Sequence, residues 1–189
     1  MNVYDIIVNR RTIRKFLQKP IPDELLEKYV NAGRLAPSAA NRQPLKYKIV
    51  NSENIVQKML KMVKWAAYIS PMGNPGKGEE PVAFIAVCAD LNIRKDGYET
   101  DLGAAVQNII ISAEADGIGS CWMGAIDYGE ITKLLGLSEN LKLLCVVALG
   151  YKAEDPKECL VENDNIKYYK DQDGILNVPK RSLEEVLIK

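Results

Sequence analysis

The chain has 189 residues, of which 47% are hydrophobic and 26% charged, and its 25 basic and 25 acidic side chains cancel. This balance excludes an intrinsically disordered chain, and no apolar run is long enough for a transmembrane helix. The N-terminus lacks the basic and apolar stretches of a secretory signal, so we expect a cytoplasmic protein without a membrane partner. The chain has no histidine, which excludes Ser-His-Asp and Cys-His catalytic pairs, and no metal site is predicted.

Hydrophobic periodicity in the first half of the chain predicts three helices. Each begins at a residue suited to a helix N-terminus: the first follows Asn2, the second runs from Pro22 to about residue 35, and the third runs from Ser52 to about residue 67. Residues 45–50 alternate apolar with basic side chains, as a half-exposed strand does. Residues 71–80 are rich in glycine, proline and charge and predict a mobile loop.

The second half predicts two buried strands and two helices. Residues 82–89 and 141–149 are continuous apolar runs of strand length. The longest helix is predicted over residues 98–116, ending before Gly117, and a shorter one begins after Asp127 and stops at Gly136. The chain becomes polar after residue 151. Because helices and strands do not alternate strictly, an α+β fold is favoured over a doubly wound one.

Two nucleotide-binding motifs are incomplete in this sequence. Residues 73–78 contain glycines and a lysine, but a predicted helix precedes them and a strand follows, which is the reverse of a phosphate-binding loop. Residues 117–124 lack the third glycine of a dinucleotide-binding turn. None of the four cysteines forms a C-x-x-C pair. Cys121 is either a reactive thiol or a packing residue, and packing is favoured.

Basic side chains are densest between residues 10 and 19. This cluster has three interpretations: a solvated basic face, an anion site of modest size, or a surface for nucleic acid. Nucleic-acid binding is the weakest of these, because the net charge is zero and no aromatic platform accompanies the arginines. We therefore predict no nucleic-acid partner.

Four separated segments carry a family signature. They read RRTIRKF at residues 10–16, APSAANRQP at residues 36–44, DLGAAVQN with GIGSCWMG at residues 101–108 and 117–124, and PKRSLEE at residues 179–185. Taken together and in this order, they make the chain resemble a short member of the nitroreductase family of FMN-dependent oxidoreductases. Thr12 stands where serine is commoner, and Leu45 replaces the usual aromatic residue.

The resemblance implies an α+β fold, namely a three-layer α-β-α sandwich with a mixed, mainly antiparallel central sheet. It implies one FMN-binding domain over residues 1–189, in which residues 151–189 form a C-terminal arm exchanged in a homodimer. It also implies FMN as cofactor and NADH or NADPH as electron donor.

The same resemblance assigns the cofactor site and assigns no catalytic side chain, because the flavin carries the chemistry. Guanidinium groups from both ends of the chain suit a phosphate dianion, since Arg–phosphate contacts are strong and directional. Hydroxyl and amide groups suit the ribityl chain and the polar edge of the ring, and a glycine allows close backbone approach. The implied cofactor-binding residues are Arg10, Arg11, Thr12, Arg14, Pro37, Ser38, Ala39, Asn41, Gln43, Trp122, Met123, Gly124, Ala125, Lys180 and Arg181.

The implied function is a ping-pong transfer of hydride and electrons from NAD(P)H through FMN to a nitroaromatic, a quinone or a similar small-molecule acceptor. Other flavin enzymes of the same fold remain open, including a flavin reductase, a deiodinase and a dehydrogenase. A non-catalytic FMN-binding protein and a basic interaction protein without flavin are the remaining alternatives.

Overall fold

The computed structural model describes residues 2–189. Its helices are α1 (Val3–Asn9), α2 (Asp23–Arg34), α3 (Glu53–Leu60), α4 (Glu99–Ala115), α5 (Tyr128–Leu135) and α6 (Leu183–Val186), with a 3₁₀ turn at Ala39–Asn41. Its strands are β1 (Phe16–Leu17), β2 (Leu45–Val50), β3 (Ala83–Asp90), β4 (Ile118–Met123), β5 (Leu141–Lys152), β6 (Lys157–Leu160), β7 (Tyr169–Lys170) and β8 (Leu176–Lys180). The predicted α+β class is therefore confirmed.

Strand β5 is the centre of the main sheet. It pairs with β3 along one edge, with β4 along the other and with β1 at its C-terminal end, while β2 lies beyond β3. These pairs are all antiparallel. A parallel bridge between Thr12 and Ser120 adds the start of the chain to β4. The polar tail after residue 151 contains a second sheet, in which β8 lies between β6 and β7.

The main sheet lies between two layers of helices. Because successive side chains of a strand point to opposite faces, Ile85 of β3 joins a core with α2 and α4, whereas Phe84 joins a core with α3 and α5. Both side chains are fully buried. Strands β3 and β5 are thus buried on both faces, as their continuous apolar runs predicted, and the arrangement is the three-layer α-β-α sandwich.

The predicted start of α1 and the predicted start and end of α5 are confirmed. Asn2 and Asp5 form a reciprocal capping box at the start of α1, with hydrogen bonds of 2.9 and 3.2 Å. Asp127 accepts from the backbone N–H of Glu130 at the start of α5, and Gly136 ends that helix at φ +59°.

The predicted length of α3 is wrong, because the helix ends at Leu60 rather than near residue 67. Beyond it the chain pairs with the segment that follows β4. Lys64 N donates to Ala125 O at 2.9 Å, and Asp127 N donates to Met62 O at 2.7 Å. These long-range bonds satisfy backbone groups that a longer helix would have used internally.

Candidate functional site

The arginine segment, residues 10–15, is extended and lies alongside β4 in the same direction. Arg10 caps α1 with φ −61° and ψ 129°, and Ile13 N donates to Ser120 O at 2.9 Å. Arg10 and Arg14 therefore do not share a helix face, which their four-residue spacing would have allowed. The segment instead buries Ile13 and leaves the arginine side chains partly exposed beside β4.

Two glycines let this segment lie close to the sheet. A Cβ at Gly119 would lie 2.7 Å from Ile13 Cγ1, and a Cβ at Gly150 would lie 2.7 Å from Phe16 Cδ1. Ile13 and Phe16 are accordingly 2% and 0% exposed. These contacts hold the arginines in place, and the sequence alone did not predict them because the partners are more than 100 residues apart.

Positive charge in the segment is only partly compensated. Burial and the neighbouring Arg11 charge lower the pKa of Arg10, against a smaller opposing effect of Glu114. Arg11 donates to the carbonyls of Val8 and Arg10 at 2.7 and 2.8 Å and pairs with Glu158. Its Nε is buried and has no hydrogen-bond acceptor within residues 2–189. A further anion would therefore be stabilised here.

The tail sheet packs against the arginine segment of the same chain. Glu154 Oε1 accepts from the backbone N–H groups of Arg14 and Lys15 at 2.6 and 3.2 Å. The Arg14 guanidinium carbon lies 4.9 Å from the ring centre of Tyr168, a cation–π distance. The tail thus contributes one carboxylate and one aromatic ring to the surroundings of Arg14.

The chain becomes exposed at the end of β4, because Gly124 and Ala125 lie at the surface. Trp122 is 44% exposed, whereas Met123 is 4% exposed and belongs to the core. Gly124 O accepts from Tyr128 Oη at 2.8 Å. A Cβ at Gly124 would meet only Tyr128 Oη, at 3.9 Å, so the packing of this chain does not itself require glycine there. That leaves room for close approach of a ligand to the backbone of Gly124 and Ala125.

The loop after α2, residues 37–44, is held by a buried carboxylate on α4. Asp101 is 3% exposed; it accepts from Ser38 Oγ at 2.6 Å and from Ala39 N at 3.1 Å. Ser38 Oγ accepts in turn from Gln43 N at 2.9 Å, and Gln43 Nε2 donates to Asn41 Oδ1 at 3.1 Å. These bonds bring Ser38, Ala39, Asn41 and Gln43 together, next to the exposed Pro37.

The same loop contains three non-glycine residues in the left-handed region. Ala40 and Asn41 have φ +52° and Gln43 has φ +51°. Such residues are uncommon, and they cluster at ligand sites because surrounding structure must enforce them. Asp101 supplies that enforcement from α4.

The two groups of predicted residues lie at opposite ends of α4. Asp101 in its first turn holds the loop, and Glu114 in its last turn lies near Arg10. At about 1.5 Å per residue, these positions are separated by roughly 20 Å along the helix axis. One protomer therefore does not bring the loop and the arginine segment together.

Lys180 and Arg181 belong to the tail in this protomer. Lys180 ends β8, and its carbonyl accepts from Val161 N at 3.0 Å. Arg181 Nη1 lies 3.1 Å from Asp164 Oδ1 and 3.4 Å from Glu185 Oε1. Arg181 is thus paired with acids of the tail rather than grouped with Arg10.

Cys121 is a packing residue in this structure. Its side chain lies in the core, and burial raises the pKa of the thiol to about 11. At neutral pH it is therefore protonated and a poor nucleophile. Within residues 2–189, no three potential metal-ligating side chains lie together, and no helix has the length and hydrophobicity needed to cross a membrane.

Solved structures with the same architecture define the class of protein. The chain superposes with a TM-score of 0.71 on a Parabacteroides distasonis protein with the provisional name NADH dehydrogenase/NAD(P)H nitroreductase, at 25% identity, covering 91% of this chain and 99% of that one. It superposes with a TM-score of 0.73 on a provisionally named nitroreductase from Desulfovibrio desulfuricans in complex with FMN, at 23% identity, covering 100% and 96%. The chain thus has the nitroreductase fold.

Sequence comparison identifies the family. Residues 7–83 and 93–151 match the model of the Nitroreductase family. An Archaeoglobus fulgidus protein, provisionally named NADH dehydrogenase/NAD(P)H nitroreductase, is 34% identical over 157 residues, covering 79% of this chain and 85% of the relative. The NADPH-flavin oxidoreductase of Vibrio harveyi is 27% identical over 173 residues, covering 82% and 68%. The chain belongs to the nitroreductase family, which confirms the resemblance seen in its motifs.

Proposed function

We propose that this chain is an FMN-dependent oxidoreductase that takes electrons from NADH or NADPH and delivers them to a nitroaromatic, quinone or similar small acceptor in a ping-pong cycle. Membership of the nitroreductase family supports the oxidoreductase class. The FMN complex of the Desulfovibrio structure and the name of the Vibrio relative support the cofactor and the donor. When bound, FMN supplies the hydride and electron transfer, and the protein supplies binding and orientation.

The arginine segment carries the proposal, because its charges fit the phosphate of FMN. Arg10, Arg11 and Arg14 supply guanidinium groups and Thr12 a hydroxyl, all anchored along β4. Burial, and after it the Arg11 charge, lower the pKa of Arg10, so an anion beside Arg10 would favour its charged form. A phosphate dianion would supply the negative charge through bidentate contacts. Lys180 and Arg181 would join these contacts, Arg181 after leaving its pairs with Asp164 and Glu185.

The end of β4 and the loop after α2 suit the flavin ring. Residues 122–125 offer an exposed aromatic side chain and an open backbone at Gly124. The loop offers the Asn41 and Gln43 amides for the polar edge of the ring, with Pro37, Ser38 and Ala39 shaping its approach. None of these side chains is assigned a proton-transfer step.

We further propose that the working unit is a homodimer. The loop and the arginine segment of one chain are too far apart for one ligand, whereas a second copy related by two-fold symmetry would juxtapose them. The exposed apolar side chains of Leu183, Val186, Leu187 and Ile188 at the end of the chain would then contact the partner. Residues 151–189 act as the arm of the single FMN-binding domain formed by residues 1–189.

An absorbance spectrum of the purified protein, recorded with and without NADH under nitrogen, tests the proposed function directly. We expect flavin absorbance that bleaches when NADH is added and returns when a quinone follows. A colourless protein that does not take up FMN would refute the cofactor site. A yellow protein that NADH does not bleach would leave a flavin-binding protein that is not this enzyme.

Replacement of Arg14 by alanine tests the phosphate site. We expect FMN binding to weaken by about 1.5–3 kcal/mol, the scale of a hydrogen bond to a charged group. Fluorescence titration of FMN measures the change, and Arg34→Ala is the matched control, because Arg34 is an exposed cation on α2. Equal FMN affinity in Arg14→Ala and the wild type would contradict the assignment.

A further inference from the structure

A cationic cavity lies between the loop after α2 and the link that joins β3 to α4. It has a volume of about 540 Å³ and is lined by residues 39, 40 and 42 on one side and residues 91–96 on the other. Its charged lining side chains are Arg42, Arg94, Lys95 and Asp96, so positive charge predominates. Arg42 and Lys95 are exposed and accessible to a ligand.

Arg94 is fixed at the wall of this cavity. Its guanidinium lies against Gly97, where an added Cβ would come within 2.6 Å of Nη2 and where φ is +67°. Its Nη1 lies 3.9 Å from Asp101 Oδ1, too far for a hydrogen bond, and has no hydrogen-bond acceptor within residues 2–189. Asp101 already accepts from Ser38 and Ala39. The Arg94 guanidinium is therefore held in place, and the buried Asp101 carboxylate neutralises part of its charge.

The cavity shares one rigid loop with the proposed flavin site. Arg42 lies between Asn41 and Gln43, whose amides are assigned to the ring edge, and the left-handed backbone at Ala40 and Asn41 fixes their relative positions. Asp101 on α4 binds the loop on one side of the cavity and lies close to Arg94 on the other side. The cations of the cavity and the amides assigned to the flavin therefore belong to the same short loop.

We propose that Arg42, Arg94 and Lys95 form a substrate-binding subsite for an anionic group, a phosphate or a carboxylate. This inference rests on the proposed function and names the class of substrate: a donor or acceptor that carries negative charge away from the reacting ring. Two sources supply that chemistry, namely the 2′-phosphate of NADPH and the carboxylate of an aromatic acceptor. Guanidinium and ammonium groups favour both over the analogues that lack the phosphate or the carboxylate.

The experiment uses the FMN-loaded protein and the variants Arg42→Gln and Lys95→Gln, both of which change an exposed side chain. Calorimetric titration with 2′,5′-ADP measures the phosphate arm without turnover. Steady-state KM values for NADPH against NADH, and for 4-nitrobenzoate against nitrobenzene, complete the comparison. Lys58→Gln, an exposed cation on α3, is the matched control.

We expect each variant to weaken binding of one anionic partner by about tenfold, corresponding to about 1.4 kcal/mol, with little change for the analogue that lacks the anionic group, NADH or nitrobenzene. Loss of 2′,5′-ADP affinity identifies the donor phosphate as the source, and a raised KM for 4-nitrobenzoate alone identifies the acceptor. If neither anion is preferred by the wild type, or if Lys58→Gln has the same effect, the subsite is refuted. Flavin binding and turnover retained in that case would leave the proposed function intact, whereas a protein without FMN would refute the function itself.

Discussion

Replacing Asp101 by asparagine is the sharpest structural perturbation of the loop after α2. The wild-type carboxylate is 3% exposed and accepts two hydrogen bonds, from Ser38 Oγ at 2.6 Å and from Ala39 N at 3.1 Å. Asparagine keeps one oxygen but places an N–H₂ group where the other oxygen was. It also removes the negative charge nearest to Arg94.

The expected loss follows from these contacts. Hydrogen bonds to a charged group contribute about 1.5–3 kcal/mol, and neutral ones about 0.5–1.5 kcal/mol. Asparagine loses one hydrogen bond to a charged group and converts the other to a hydrogen bond between neutral groups. The free energy of unfolding should therefore fall by about 2–4 kcal/mol. Flavin affinity should fall as well, because the same loop positions Asn41 and Gln43.

Urea denaturation at pH 7, followed by circular dichroism, measures this loss for Asp101→Asn, Ser38→Ala and the double variant. Because the two side chains share one hydrogen bond, the double variant should lose less than the sum of the single losses, by about 1 kcal/mol or more. Additive losses, or a change below about 0.5 kcal/mol for Asp101→Asn, would refute the role of Asp101 as the anchor of the loop.

Three further predictions concern the arginine segment and its surroundings. Gly119→Ala should lower the free energy of unfolding by about 1–3 kcal/mol in urea titrations, because its Cβ would overlap Ile13. Glu158→Gln should tighten FMN binding by about two- to fivefold in fluorescence titrations, because the carboxylate that pairs with Arg11 competes with the phosphate. Burial raises the pKa of Cys121 to about 11, above its ordinary value; the protonated thiol therefore favours the folded state, and stability should fall as the pH rises from about 9 through 11.

The first two of these predictions have matched controls, and a separate variant tests whether Cys121 takes part in turnover. Gly103→Ala lies in the interior of α4 with no atom within 4 Å of its added Cβ, so it should stabilise the fold by about 0.5–1 kcal/mol; destabilisation there would undermine the steric account of Gly119. Glu162→Gln changes an exposed acid of the tail, and an equal gain in FMN affinity would point to net charge instead. Cys121→Ser should keep NADH-dependent turnover, and its loss with flavin still bound would implicate the thiol.

Local sequence determined the features that depend on near neighbours. Capping at Asn2 and the helix stop at Gly136 were predicted correctly because a cap is decided by contacts within a few residues. The buried strands β3 and β5 were predictable because a continuous apolar run of that length is stable only between two covered faces. The family was predictable because its motifs are short and ordered along the chain.

Pairing between distant segments determined what the sequence did not predict. Strand β4 lies between Gly117 and Gly124 and forms because β5 lies beside it. Helix α3 ends at Leu60 because its continuation bonds to the segment after β4. The anchoring of Ile13 by Gly119 depends on the same approach of distant segments.

The sequence by itself therefore indicated the layers of the fold and the family, and it predicted which residues compose the proposed flavin site. Only the tertiary structure decided that the two halves of that site lie at opposite ends of α4, and that Arg42 faces Arg94 and Lys95 across a cavity. The physical reason is that charge and hydrogen-bonding capacity are properties of single residues, whereas distance between residues far apart in the chain is set by the packing of the whole sheet.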